Sequence, residues 1–212
     1  MTAPRLMGPL MVAMTAAMMV AMMLPSVAPD VWRYYRGRRA IRSSRAGRQT
    51  MLFAAGYASV WTTVGVALFG LNVALSPMRG ALPVGLPVDL PVAPWAAGVL
   101  VLCAGALQRS RWKAVHLECC RTLAARRATL GEVAAPWRDG VRLGVHCASS
   151  CSAMTAALFI IGPMDVRAMA VIAGATAAER LAPAGERIAR FTGALGMGAG
   201  LLMCLRAIEL VR

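Results

Sequence analysis

Apolar residues fall into six blocks along this 212-residue chain, at about 6–28, 50–75, 94–109, 141–162, 166–182 and 190–208. A block of roughly 20 residues crosses a bilayer as a helix and satisfies its backbone groups internally. The third and fifth blocks are short, which suits tilted or re-entrant pieces. Between the third and fourth, Leu107 to Leu130 holds few helix breakers and many arginines and alanines. That pattern predicts a basic helix at the membrane interface. The expected fold is all-α: a polytopic membrane helical bundle of about six transmembrane helices, with the interfacial helix between the third and fourth. The expected organisation is a single integral membrane domain over residues 1–212.

Composition agrees with this pattern. Hydrophobic residues make up 58% of the chain, and charged residues only 15%, against about a quarter in an average soluble domain. The mean hydropathy is +0.61. Arg5, the first apolar run and Ser26-Val27-Ala28 loosely resemble a secretory signal. The run is too long for a signal core, however, and many arginines follow it, so it reads as a retained membrane helix.

The formal net charge is +14. Its placement argues against nucleic acid, because the arginines lie mainly between apolar blocks without interleaved aromatics. Arg33 to Arg48 holds seven arginines and no acid, and Arg109 to Arg142 holds seven arginines and one lysine. With Arg180, Arg187 and Arg190, 18 of the 23 basic residues fall on one side. Positive-inside reasoning makes that side cytoplasmic and places both termini outside, in an inner (plasma) membrane. The segment Ser76 to Pro94, with five prolines, reads as an extended outer connector.

Candidate chemistry gathers in two short clusters. His116-Leu117-Glu118-Cys119-Cys120 places His116, Cys119 and Cys120 on one face of a helix. His146-Cys147-Ala148-Ser149-Ser150-Cys151 opens the fourth block, with Cys147, Cys151 and Met154 on one helical stripe. Both histidines and four of the six cysteines lie in these clusters. Thiolate and imidazole suit soft and borderline metals, and an ionisable group just inside a membrane is usually functional. The bland alternative is incidental thiols on a basic helix, or cysteine packing as a small hydrophobe. On the reducing side the thiols would stay free or bind metal.

Methionine fills the first block. Met14, Met18 and Met22 recur every four residues, with Met7 and Met11 close to the stripe. Thioether suits Cu(I), but methionine also fills irregular helix contacts. Met22 and Met23, at the cytoplasmic end before Pro25 and Pro29, are the two assigned to the metal. Glu179 would orient a histidine from behind; its plainer reading is an interfacial ion pair with Arg180. Gly193, Gly196 and Gly200 offer close helix packing. Cys103 and Cys204 read as core. A hydrolase elbow, a phosphate loop and an HExxH motif are all missing, and His146, Cys147 and Ser149 or Ser150 do not make a triad.

At these residues the chain resembles the DUF2182 family of predicted metal-binding integral membrane proteins. The resemblance runs through Met19-Val20-Ala21-Met22-Met23-Leu24-Pro25 with Pro29, Gly56-Tyr57 with Trp61, Lys113 to Arg121 and Cys147 to Met154. It ends with Gly162-Pro163-Met164 and Glu179-Arg180-Leu181-Ala182-Pro183-Ala184-Gly185. The family's Cys-Leu-x-His-Cys becomes His116-Leu117-Glu118-Cys119-Cys120 here. Its Cys-x-x-Cys-Cys-Trp becomes Cys147-x-x-Ser150-Cys151-Ser152, with one thiol and the tryptophan replaced. The resemblance implies a membrane helical fold and metal binding.

The expected function is non-catalytic handling of a soft metal, copper as Cu(I) before zinc, by storage, delivery or transport. The expected ligands are His116, Cys119, Cys120, His146, Cys147, Cys151, Met22 and Met23, with Glu179 behind them. The alternative is a non-catalytic helical subunit or assembly factor of a larger membrane metalloenzyme complex. The lipid bilayer is the expected partner, and a partner membrane complex or a homo-oligomer stays open.

Overall fold

A computed structural model describes residues 3–40, 44–79, 94–129, 135–161 and 166–209. These form seven α-helices: α1 (Ala3–Ala40), α2 (Ala46–Arg79), α3 (Pro94–Gln108), α4 (Arg111–Thr129), α5 (Pro136–Ile161), α6 (Val166–Leu181) and α7 (Gly185–Glu209). The element order matches the expected six segments plus one basic helix. The proline-rich connector falls mostly outside the described residues, as does Gly162-Pro163-Met164.

Membrane-spanning character is narrower than six blocks. Among the described residues, three stretches are long and apolar enough to cross a membrane: Pro9–Ala40, Ala46–Leu71 and Gly185–Glu209. The third and fifth blocks become α3, of 15 residues, and α6, of 16, both below the usual spanning length. The fourth block becomes α5, which starts with Trp137, Arg138 and Asp139 and carries Arg142 one turn on. Large side chains such as Leu10, Leu24, Val66, Leu195, Leu201 and Leu205 are exposed on the three spanning helices. Such outward apolar surface is what a lipid-facing helix presents.

The chain divides into two compact units, residues 1–71 with 116–149 and residues 72–115 with 150–212. In the first, α1 continues well beyond its apolar block, through Pro25, Pro29 and the arginines at 33, 36, 38 and 39. Proline inside a helix removes a hydrogen bond and crowds the preceding turn. Burial on one face offsets that cost: Met19, Met23, Val27, Asp30, Tyr34 and Arg38 follow one another at steps of three and four and are all buried. Ser26 Oγ also donates to the Met23 carbonyl at 2.9 Å in the interrupted region.

An antiparallel hairpin of α1 and α2 follows from paired contacts. Tyr34 stacks on Phe53 with centroids 4.4 Å apart and planes 8° from parallel. Arg38 Nε donates to Gln49 Oε1 at 2.8 Å near the turn. Toward the other end, a Cβ on Gly65 would reach 2.9 Å from the Ala16 backbone. The start of α5 lies against α2 at contact too close for side chains. A Cβ at Gly56 would overlap the Trp137 carbonyl oxygen, and one at Gly140 would overlap that of Phe53.

In the second unit α3 and α7 pack antiparallel along a glycine seam. A Cβ on Gly105 would sit 2.8 Å from the Gly193 carbonyl oxygen, and one on Gly200 2.5 Å from the Leu102 nitrogen. Glycine lets the backbones approach so closely, which dispersion and weak contacts favour in a lipid setting. The short turn at Ala182-Pro183-Ala184 joins α6 to α7, with Gly185 N donating to Ala182 O at 3.2 Å. At the other end of α3, Ser110 interrupts the predicted Leu107–Leu130 helix. Its Oγ accepts from the Lys113 backbone N–H at 3.3 Å and caps α4.

Candidate metal centre

Two helices of the first unit carry the ligand-type side chains. On α4, His116 and Cys120 lie four residues apart and so share a face. Cys120 is fully buried, whereas His116 and Cys119 are half-buried. On α5, Cys147 is fully buried and His146 half-buried. The sequence spacing that hides Cys147 follows from Gly140 and Gly144. These glycines bring that face of α5 onto Tyr57 and Val60 of α2, where a Cβ on Gly144 would lie 2.9 Å from Val60.

The two histidines, thirty residues apart in sequence, meet in space. His116 Nδ1 lies 3.0 Å from His146 Nδ1, with ring centroids 5.2 Å apart and planes tilted by 42°. At that distance one ring donates a proton and the other accepts it, so the accepting imidazole is neutral. A neutral imidazole is the form that binds metal.

Elsewhere in the first unit, the Tyr57 hydroxyl and Cys147 sulfur are 3.3 Å apart in the buried interior. In sequence, Tyr57 stands out only as part of the Gly56-Tyr57 piece of the family resemblance. Its contact with Cys147 requires the α2–α5 crossing and had no local signal.

The remaining expected ligands are mostly buried. Met22 and Met23 are buried on α1, at 8% and 0% exposure. Met11 and Met14, further along the same helix, are 43% and 45% exposed, so the methionine stripe does not stay on one buried face. Cys151 is buried and belongs to the second unit, where Ser150 Oγ approaches its sulfur at 3.8 Å. All six cysteines are free of disulfides. Among the described residues, no group of three or more His, Cys, Asp or Glu side chains is gathered closely enough to hold a metal ion. What the geometry brings together is the histidine pair, and separately Tyr57 with Cys147.

Glu179, expected behind a histidine, makes its contacts with Gln108, Lys113 and Thr192. It lies in the second unit and is 2% exposed. Its Oε2 accepts from Lys113 Nζ at 2.5 Å. Its Oε1 accepts from Gln108 Nε2 at 2.6 Å and from Thr192 Oγ1 at 2.8 Å. One carboxylate on α6 thereby ties α3, α4 and α7. Lys113 is the chain's single lysine among 23 basic residues, and that rarity was the available signal. A compact ammonium on a flexible stem reaches a buried carboxylate as a point charge, without the forked donors of arginine.

Comparison with known proteins adds the family. A family model named PpoB2 and described as a copper chaperone matches residues 12–203, nearly the whole chain. No curated protein and no solved structure matches it. Because that family-model match spans well over half of its length, the chain belongs to the PpoB2 copper chaperone family.

Proposed function

We propose that this protein is an integral membrane copper chaperone that receives Cu(I) at the His116–His146 pair and passes it to a client. Copper is its cargo and not a resident cofactor. The observation that carries the reading is the 3.0 Å contact between the two Nδ1 atoms. Nitrogens 3.0 Å apart are close enough for both rings to hold one ion lying off the line between them, given metal–imidazole bonds of about 2.0–2.1 Å. Loading would displace the proton they share.

Imidazole and thiolate ligands also exchange readily around a soft ion. Two imidazoles leave coordination positions open, which suits transfer better than permanent storage. Cys147 and Cys120 supply buried sulfur in the same unit, and Cys119, Met22 and Met23 extend the soft donor set. Methionine together with cysteine favours Cu(I) over Zn(II).

The membrane setting rests on the three long apolar helices and on the arginine distribution. The unit that holds the histidine pair also holds the arginines from Arg33 to Arg48 and those from Arg121 to Arg142. By the positive-inside rule its basic face is cytoplasmic, so copper is collected from the cytoplasmic side of an inner (plasma) membrane. The resemblance to the DUF2182 metal-binding membrane proteins points the same way.

The test is Cu(I) binding by the purified, reduced full chain in detergent, read by competition with a chromophoric Cu(I) chelator. Wild-type protein should bind copper, and His116→Ala with His146→Ala together should weaken binding by orders of magnitude. Changing Cys119, Cys120, Cys147 and Cys151 to serine separates the thiol contribution. Undiminished binding by the double histidine variant would overturn the site.

A further inference from the structure

His146 and Cys147 are neighbours on α5, yet they serve different faces of it. Successive side chains on an α-helix point about 100° apart. His146 accordingly meets His116 of α4 at 3.0 Å, while Cys147 meets the Tyr57 hydroxyl of α2 at 3.3 Å. The histidines are half-buried, whereas Tyr57 and Cys147 are 3% and 0% exposed.

The α2–α5 crossing puts the sulfur where it is. Gly140, Gly144 and Cys147 stand at i, i+4 and i+7 and share one face of α5. A Cβ on Gly140 would lie 3.0 Å from the Tyr57 nitrogen, and one on Gly144 3.3 Å from the Tyr57 carbonyl oxygen. The two glycines thus bring the backbone of Tyr57 against α5. Cys147 follows one turn on, and its sulfur meets the hydroxyl at the far end of the Tyr57 ring. The contact at Cys151, in the other unit, is of another kind: Ser150, its neighbour on the same helix, approaches at 3.8 Å. A donor on the same helix moves with the sulfur, whereas one from a second helix fixes it.

A phenol and a thiol can share a hydrogen bond in either sense while both keep their protons. A soft metal takes the thiolate. On binding, the S–H bond breaks, an S–Cu bond forms and the proton leaves toward solvent, with copper as Cu(I) throughout. The sulfur then has no proton to give, and the Tyr57 hydroxyl must donate. Burying an anionic sulfur without a donor is costly. A hydrogen bond to an ionised acceptor is roughly twice as strong as one between neutral groups. The Tyr57 contact therefore gains strength as the metal arrives.

Building on the copper function proposed above, we infer that Tyr57 is a positioning residue: its hydroxyl donates to Cys147 Sγ and makes Cys147 a thiolate station for Cu(I), on a different face of α5 from the histidine pair. Copper taken up at the half-buried imidazoles thereby has a buried sulfur to move to on the same helix.

The test follows sulfur-bound copper directly. Thiolate-bound Cu(I) absorbs in the ultraviolet by charge transfer, and the reduced full chain in detergent is titrated with chelator-buffered Cu(I). Tyr57→Phe keeps the buried ring and removes only the oxygen. It should raise the free Cu(I) needed to half-saturate the band by about 10–100-fold, the usual loss when a hydrogen bond to a metal ligand is removed. In a Cys147→Ala background the same change should leave whatever band remains unaltered. An unchanged titration in Tyr57→Phe overturns the inference. So does an equal shift in both backgrounds, which would mean a general effect on packing. Wild-type protein that binds Cu(I) without a thiolate band overturns it too, and leaves the histidine site standing. Wild-type protein that binds no Cu(I) overturns both.

Discussion

Lys113 Nζ rests 2.5 Å from Glu179 Oε2, and each side chain exposes only 2% of its surface. The two are 66 residues apart in sequence and lie on different helices. Gln108 and Thr192 complete the shell around the carboxylate. Breaking such a pair from one side leaves an uncompensated charge in a low-dielectric interior. Glu179→Ala should therefore cost about 3–5 kcal/mol of stability, whereas replacing both partners with methionine should recover most of that loss. Unfolding in mixed micelles measures both. A single variant as stable as wild type would contradict the buried pair.

The histidine contact gives a spectroscopic expectation. X-ray absorption of the Cu(I)-loaded chain should show imidazole scattering that falls when either His116 or His146 becomes alanine. Losing either ring should weaken binding, because each supplies one end of the pair. A spectrum of sulfur ligands alone, unchanged in both variants, would move the site to the cysteines.

Close helix crossings predict opposite outcomes for two glycines on neighbouring helices. Gly140→Ala drives a Cβ into the Phe53 carbonyl and should cost about 1–3 kcal/mol through overpacking. Gly47→Ala, on α2 with nothing within 4 Å of the added carbon, should stabilise by about 0.5–1 kcal/mol through helix propensity. Thermal unfolding of the two variants side by side checks both signs.

The methionines divide by exposure. Met23 is fully buried, so Met23→Ala should cost about 2–5 kcal/mol. Met11 and Met14 are open to the surroundings. Changing both to leucine should leave stability and copper stoichiometry unaltered, as measured on the same preparation. A drop in bound copper would restore the methionine stripe as a metal path.

Much of the architecture was legible because helices are local. The apolar blocks and their charged separators placed seven helices in order, since a 3.6-residue repeat needs no distant partner to be recognised. Boundaries were less legible. The extension of α1 through Pro25 and Pro29 depends on the burial of Val27, Asp30, Tyr34 and Arg38 against other helices, which overrides the local cost of proline. The break at Ser110 depends on a capping bond that the alanine- and arginine-rich composition concealed.

The candidate chemistry followed the same division. Sequence alone marked both histidines and the clustered cysteines, because residues three and four apart share a helix face whatever the fold. It also marked the resemblance to metal-binding membrane proteins, the apolar character of the spanning helices and the sign of the charge between them. Tertiary structure alone decided that His116 meets His146, that Tyr57 reaches Cys147, and that Glu179 answers to Lys113, Gln108 and Thr192. Those pairings join residues 13 to 90 positions apart. They arise from glycine-permitted helix crossings and from the need to neutralise a buried carboxylate, and neither leaves a periodic trace along the chain.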